Sequence, residues 1–533
     1  MRFLPRTLQA LGAAVLVLAV ESAAQAVTPK QQSQGIKPAE IDQVVQRAMK
    51  EYNVPGLAVG LIKDGEVIHA RGYGVREHGK SAPVDEKTLF GIASTGKSFT
   101  AAAMALLVDE GKIAWDDRVI DYLPQFQMYD PWVTREFQIR DLLIHNSGLG
   151  LGAGDLMLFP SENFTREEII HNLRYLKPVT SFRSTFAYDN LLYVVAGEVI
   201  AVVSGQSYED FVDKRILQPL GMKHCAANLI RIKGAHNVAK PHQVVEGELT
   251  LAIPDVEPGV VNVSAAAGGM LCSVDSALKW LEMHLRGGQL SDGSVLISPA
   301  QHRYIFTPHT IIPPLPPAMQ EMFGSDFSAY GLGWNVLEFS GYKMAHHGGA
   351  ITGMLSQVWL IPELQLGLVI YTNQQAAVAR HAIGRRILEA YTSDQQSDWV
   401  AIFKDFHTAY RAQAQAEVPD PAQLNYTPTR SLTDYTGEYV DPWFGRITIS
   451  KHDGQLYFAS ERQPRLSGEM VPYQNDLFIA VWDDRSLQAD AYVQFSNDFA
   501  GKPKRILMQA VSPLTDFSFD FHDLDFSRFV SAH

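Results

Sequence analysis

The chain has 533 residues, a formal net charge of −13, 46% hydrophobic residues and 19% charged residues. This composition excludes wholesale disorder, and the length calls for more than one domain. The acidity argues against a nucleic-acid partner, because phosphate binding needs a basic surface.

The N-terminus has the pattern of an export signal. Arg2 and Arg6 precede an apolar run from Leu8 to Val20, and Ala24-Gln25-Ala26 offers a cleavage site. The expectation is a signal peptide over residues 1–26, a mature chain from Val27 in the periplasm or outside the cell, and no stable membrane insertion after cleavage; an uncleaved anchor is the competing reading. A polar, unstructured stretch follows from Thr28 to Lys37. Residues 38–52 carry apolar side chains at helical spacing. "LAVGLIKDGEVIHARGYG" (57–74) reads as two strands about an Asp64-Gly65 turn. Ser94 to Asp109 reads as a helix stopped by Gly111. Helical patterns continue to residue 325, among them Leu191 to Val203 and Val274 to Leu285. Strand-like runs begin at Tyr330, and a helix closes the region from Ala376 to Tyr391. Strands at both ends with helices between predict one antiparallel sheet assembled from the two ends.

A further helix is expected over 398–416, then a Pro-rich linker over 417–431. Residues 432–533 alternate short β-rich runs with turns, the pattern of a small barrel or sandwich. The expected division is 1–26, 38–392, 393–431 and 432–533. The two cysteines, Cys225 and Cys272, form no disulfide framework. One bridge and two buried thiols are both compatible with the sequence.

The stretch "GIASTGKS" (91–98) fits two chemistries. As G-x-x-x-x-G-K-S it matches a phosphate-cradling loop, which requires a parallel strand–loop–helix unit. The preceding strand candidate, Thr88 to Phe90, is very short, and no magnesium-binding acidic strand presents itself. As S-x-x-K, Ser94 and Lys97 lie three apart and share a helical face, so an amine sits beside a hydroxyl at a helix start. A lysine kept partly neutral by burial can then serve as base. Two more motifs follow in order: Tyr188-Asp189-Asn190 about 90 residues on, and "HHGGAITG" (346–353) on a glycine-rich strand.

With these motifs the chain resembles the penicillin-recognising serine hydrolases, in the branch of class C β-lactamases, D-aminopeptidases and esterases. Supporting stretches are "IRDLLIHNSGLG" (139–150), "AAGGMLCSVDSALKW" (266–280), "YGLGW" (330–334) and "VIYTN" (369–373). The resemblance spans roughly residues 38–392 and implies an α+β, β-lactamase/transpeptidase-like fold with a helical subdomain. The C-terminal part resembles an appended lipocalin-like barrel. By resemblance, Ser94 is the nucleophile, Lys97 tunes the proton network, and Tyr188 is general base or acid. Asn190 is expected to bond Lys97 or a substrate amide. His347 and Gly349 match K/H-x-G, and the N–H groups of Ser94 and Ala350 would bind the oxyanion. His347 is aligned rather than His346 because Gly353 then falls at the family's downstream glycine. A phenol acts as base only if cations lower its pKa, a task assigned to Lys97 and His347. His145 reads as structural, holding a turn.

No metal or cofactor is expected; adjacent strand residues such as His346 and His347 face opposite ways. Replacing the family's lysine by His347 weakens the case for a dedicated β-lactamase, because imidazole is partly uncharged near neutral pH. The leading expectation is an exported serine peptidase or amidase on short peptides with D- or unusual residues, such as cell-wall fragments or linearised cyclic peptides. The alternatives are a carboxylesterase, a β-lactamase or D-Ala-D-Ala carboxypeptidase, and a non-catalytic sensor. The C-terminal region is expected either to narrow the cleft or mediate assembly, with Trp443 and Phe444 as candidates, or to hold those two rings as barrel core. Oligomeric state is not readable from the sequence.

Overall fold

The computed structural model describes residues 35–530 except 233, 253–262, 316–319, 321–323, 326, 417 and 429. The export signal expected over 1–26 lies outside the described residues.

The N-terminal hairpin pairs with the last strands of the same region, as the two-ended sheet requires. Helix α1 (Pro38–Tyr52) leads into β1 (Gly56–Lys63) and β2 (Glu66–Gly74). Asp64 and Gly65 both take positive φ, 53° and 79°, the backbone that a tight hairpin turn demands. Six later strands complete the sheet: β3 (Thr310–Ile312), β4 (Ser328–Tyr330), β5 (Asn335–Phe339), β6 (Tyr342–Ile351), β7 (Met354–Ile361) and β8 (Leu366–Thr372). The spatial order is β2-β1-β8-β7-β6-β5-β4-β3, and all pairs described are antiparallel.

Both faces of the sheet are covered, so its central strands are apolar throughout rather than alternating. On β1, Leu57, Val59 and Leu61 join one core with α1, α5 (Ala377–Thr392) and α6 (Trp399–Ala416). Ala58 and Ile62 join the other core, with α2 (Lys97–Asp109), α3 (Leu191–Ser204) and α4 (Val274–Leu285). Gly60 brings α4 close: a Cβ there would lie 3.0 Å from the Leu278 side chain. Helix α3 is apolar nearly all round because it is buried nearly all round. Among the described residues, no single helix is long and apolar enough to cross a membrane.

The C-terminal part closes into an eight-stranded antiparallel barrel, β9 (Gly437–Asp441), β10 (Gly445–His452), β11 (Gln455–Ser460), β12 (Ser467–Gln474), β13 (Leu477–Trp482), β14 (Ala491–Asn497), β15 (Pro503–Ala510) and β16 (Asp525–Arg528), with β16 returning to β9. Closure leaves no edge strand. Trp443 and Phe444 are buried, 3% and 1% exposed, and belong to the core.

The cysteines are bridged. Cys225–Ala226 and Phe90–Gly91 flank Leu271–Cys272 in a small sheet, and this register puts Cys225 opposite Cys272 with Cα atoms 4.1 Å apart. Of the two readings left open by the sequence, the bridge is the correct one. It fastens the middle strand of that small sheet, the one paired with Phe90–Gly91, which leads into Ser94. Replacing both cysteines by serine is expected to lower unfolding free energy by about 2–4 kcal/mol, measured by urea denaturation of the oxidised protein and the variant.

Candidate active site

Ser94 does not begin an α-helix. It lies in a 3₁₀ turn, Ala93–Gly96, and α2 starts at Lys97, whose N–H reaches the carbonyls of both Ser94 and Thr95. Ala93 holds a left-handed φ of 47°, unusual for a residue with a Cβ. The neighbourhood enforces it: Thr95 Oγ1 donates to the Ile92 carbonyl at 2.7 Å, and Ser356 Oγ donates to the same carbonyl. Strand β6 comes so near this turn that a Cβ on Gly349 would lie 2.4 Å from Ile92 O. That approach, rather than flexibility, accounts for glycine in the H-x-G motif. The strand before the turn is two residues long and antiparallel to its partner, so the phosphate-loop reading fails on topology.

Lys97 is fully buried, and its amine has three partners. Nζ lies 3.1 Å from Ser94 Oγ, 2.7 Å from Asn190 Oδ1 and 2.7 Å from the Ala267 carbonyl. It also sits over the Tyr188 and Tyr193 rings, 4.8 and 5.1 Å from their centroids. Burial pushes its pKa down to about 7, opposed by the charges of Asp155 and Asp189. From an ordinary 10.5, this is a preference of about 5 kcal/mol for the neutral amine over its balance in water. A neutral amine has two N–H donors and one lone pair. Asn190 and Ala267 accept the two donors, which leaves the lone pair for the Ser94 hydroxyl.

Asn190 caps α3 and is oriented from both sides: Oδ1 accepts from Lys97 and Nδ2 donates to Asp155 Oδ2 at 2.8 Å. It bonds Lys97, one of the two partners expected. Tyr188 lies in the loop just before, its buried hydroxyl without a hydrogen-bond partner of ordinary geometry. Burial raises the phenol pKa well above 10, with the nearby Ser94 side chain opposing in part. The cation-lowered phenol expected from the sequence is therefore corrected: Lys97 lies over the ring face, and Tyr188 is a neutral O–H.

His347 faces the cleft, and His346 does not line it. His347 Nδ1 donates to the Gly348 carbonyl at 2.7 Å, and its Nε2 accepts from Tyr330 Oη at 2.8 Å. Burial and the neighbouring Lys97 push its pKa down to about 3, so it is a neutral imidazole and supplies no cationic field. His145 holds a backbone turn as expected: it has a positive φ of 56°, and its Nδ1 accepts from the Asp189 N–H at 3.1 Å. Its ring also lies 4.2 Å from that of Tyr188.

These residues line a cleft of about 530 Å³, within the range of small-molecule sites. Ser94, Tyr188, Asn190, His347, Gly349 and Ala350 all border it. Its other walls are largely apolar, from Leu158, Phe159, Met270, Ile351, Met354 and Phe517. Three contributors were missed in the sequence. Arg380 lies behind β6, its Nη1 donating to the carbonyls of Gly349 at 2.9 Å and Ser356 at 2.6 Å. Tyr330 sits in the "YGLGW" stretch, whose motif gave it no role. Phe517 comes from the barrel, where no motif marks it. Trp443 and Phe444 instead border a separate hollow beside residues 164–172. Among the described residues, no cluster of three or more His, Cys, Asp or Glu could hold a metal ion.

The sequence pattern of the family described as Beta-lactamase matches residues 41–392. The chain belongs to that family. A second pattern, a domain of unknown function (DUF3471), matches residues 422–528. Among similar proteins, the unguisins hydrolase ungD of Aspergillus violaceofuscus is 26% identical over 505 residues, covering 88% of this chain and 87% of that one. Penicillin-binding protein 4 of Amycolatopsis lactamdurans is 27% identical, covering 62% and 83%. In fold, the chain is similar to the octameric penicillin-binding protein homologue from Pyrococcus abyssi, with a TM-score of 0.58 at 21% identity over 92% of this chain and 100% of that one.

The neutral form of Lys97 predicts a pH dependence. Below its pKa of about 7 the amine is protonated and its lone pair is gone, so reaction at Ser94 should rise with pH and level off above about 7. The groups facing Lys97 are Asp155 and Asp189, which raise its pKa, and His145 and His347, which burial keeps neutral. Asp189→Asn removes one raising charge, so the rising limb should move to lower pH in a profile of fluorophosphonate labelling rates.

Proposed function

We propose that this chain is an exported serine hydrolase that forms an acyl-enzyme on Ser94 and cleaves amide bonds in short peptides with D- or otherwise unusual residues. The observation that carries the reading is the buried Lys97 amine 3.1 Å from Ser94 Oγ, with its two other hydrogen-bond positions already taken. Neutral Lys97 takes the Ser94 proton as Oγ bonds to the carbonyl carbon. The carbonyl electron pair moves onto oxygen, where the N–H groups of Ser94 and Ala350 hold it. Collapse expels the leaving nitrogen, which receives the proton from Lys97 by way of the Tyr188 O–H. Water then attacks the acyl-enzyme with the same groups in reverse, as microscopic reversibility requires.

Several features support the peptide class. The cleft has apolar walls, and residues 347–351 of β6, which pair with β7 but extend past the β5 pairing, give an extended backbone a strand segment to lie along. A similar protein along most of the chain is named for hydrolysing unguisins, and another is named as penicillin-binding. The disulfide and the signal pattern support an oxidising compartment outside the cytoplasm. Carboxylesterase activity is the second reading, favoured by the neutral His347: an uncharged ester meets no cation at that strand position.

Wild type is expected to hydrolyse members of a panel of D-residue and linearised peptides, and Ser94→Ala to abolish turnover. Lys97→Ala should lower kcat/KM by about 10²–10⁴-fold with the fold intact. Ester turnover without cleavage of any peptide would move the assignment to an esterase. The mass of exported protein from a cell expressing the full chain should correspond to a start at Val27.

A further inference from the structure

The loop that carries Asp155 lies between the catalytic constellation and the barrel, and the barrel grips it at several points. Asp520 accepts the backbone N–H groups of Gly154 at 2.6 Å and Leu156 at 3.0 Å through its two carboxylate oxygens. Gln463 Nε2 donates to the carbonyls of Leu156 at 2.7 Å and Ser161 at 2.8 Å. Gly152 has φ 70°, and a Cβ there would lie 2.6 Å from the Phe517 carbonyl, so the barrel segment comes as near as backbone allows. The Phe517 ring meets Tyr188 edge-on at 5.8 Å between centroids.

One contact reaches the reacting groups through a single unbroken chain. Ser518 Oγ donates to Asp155 Oδ2 at 2.9 Å. Asn190 Nδ2 donates to the same oxygen at 2.8 Å, and Asn190 Oδ1 accepts from Lys97 Nζ at 2.7 Å. Ser518 and Asp155 are buried, 7% and 0% exposed. The other Asp155 oxygen has no partner, so the side chain's orientation rests on these two donors. An Asn amide that must present its oxygen to Lys97 needs an acceptor fixed on its NH₂ side, and Asp155 is fixed from the barrel.

We propose that the barrel segment 516–520 is part of the active site, with Ser518 a positioning residue that sets the Asp155–Asn190–Lys97 chain and so the lone pair facing Ser94. Deletion of this hydroxyl leaves the cleft walls in place but lets Asp155 and the Asn190 amide turn. The effect belongs to the rate of reaction at Ser94 and not to the binding of a small reagent. It rests on Ser94 being the nucleophile.

The test uses the full-length, disulfide-bonded protein and a small alkyl fluorophosphonate, with the inactivation rate constant kinact and the half-saturating concentration KI measured separately. Ser518→Ala should lower kinact about tenfold, the scale of a small misplacement of a catalytic group, and leave KI unchanged. Ser518→Thr, which restores a hydroxyl, should recover most of the loss. Ser518→Cys keeps the volume with a weaker donor and should give an intermediate kinact, which preserves the test if the alanine variant fails to fold. Arg462→Ala breaks a different barrel contact, the ion pair with Glu168, and should lower Tm without changing kinact. Folded Ser518→Ala and Ser518→Cys variants that label at the wild-type rate would overturn the proposal while leaving the serine reading intact. A loss of kinact in Arg462→Ala equal to that in Ser518→Ala would also overturn it, by making the effect one of general stability. A wild type that takes no label would overturn the serine reading, and this proposal with it.

Discussion

The structure turns on one amine without water. Lys97 is buried completely, and no carboxylate forms an ion pair with it among the described contacts. A buried ammonium with only neutral oxygens around it is costly, so the protein shifts the equilibrium toward the neutral form. The nearby acids Asp155 and Asp189 are themselves buried, and burial raises both; Asp189 is pushed up to about 7. Their charge opposes the shift of the lysine without cancelling the larger effect of its burial. Hydrogen bonds to Asn190 and the Ala267 carbonyl then fix the direction of the remaining lone pair.

Much of the rest of the fold serves that arrangement. The 3₁₀ turn presents Ser94 one turn ahead of the lysine, and the close pass of β6 at Gly349 keeps the turn from relaxing. The disulfide ties the strand paired beside the one that enters the turn. Asn190 is the N-cap of helix α3, so the residue that orients Lys97 is itself fixed by a helix start whose first turns are buried. Tyr188 is held by His145 on one side and by Phe517 on another. His347, on the strand beside Ser94, is a neutral imidazole bonded to Tyr330, so this side of the cleft offers hydrogen-bonding polarity and no cation.

What the sequence disclosed follows from how local each signal is. The Asp64-Gly65 turn, the apolar strands after Tyr330 and the S-x-x-K spacing are short-range patterns, and each appears where it was expected. The helix start was misplaced by three residues, because the turn at Ala93 is imposed by Ser356 and Gly349 from strands some 260 residues away. The disulfide stayed open because pairing depends on the meeting of two distant two-residue strands. The cation-lowered phenol expected at Tyr188 fails for a similar reason: burial, which residue identity does not reveal, raises its pKa instead. Asp155, Arg380 and Ser518 carry no motif. Their roles come from contacts across 24 to more than 360 positions in the chain, visible only once the sheet, the loop and the barrel are brought together.

The most direct measurement is the ionisation of Lys97 itself, read by NMR of the protein labelled with ¹³C at lysine Cε, with the resonance assigned by Lys97→Arg. The account predicts a titration midpoint near 7 in the folded protein. A midpoint near the ordinary lysine value of about 10.4 would contradict it, because the amine would then be an ammonium at neutral pH with no lone pair to offer Ser94.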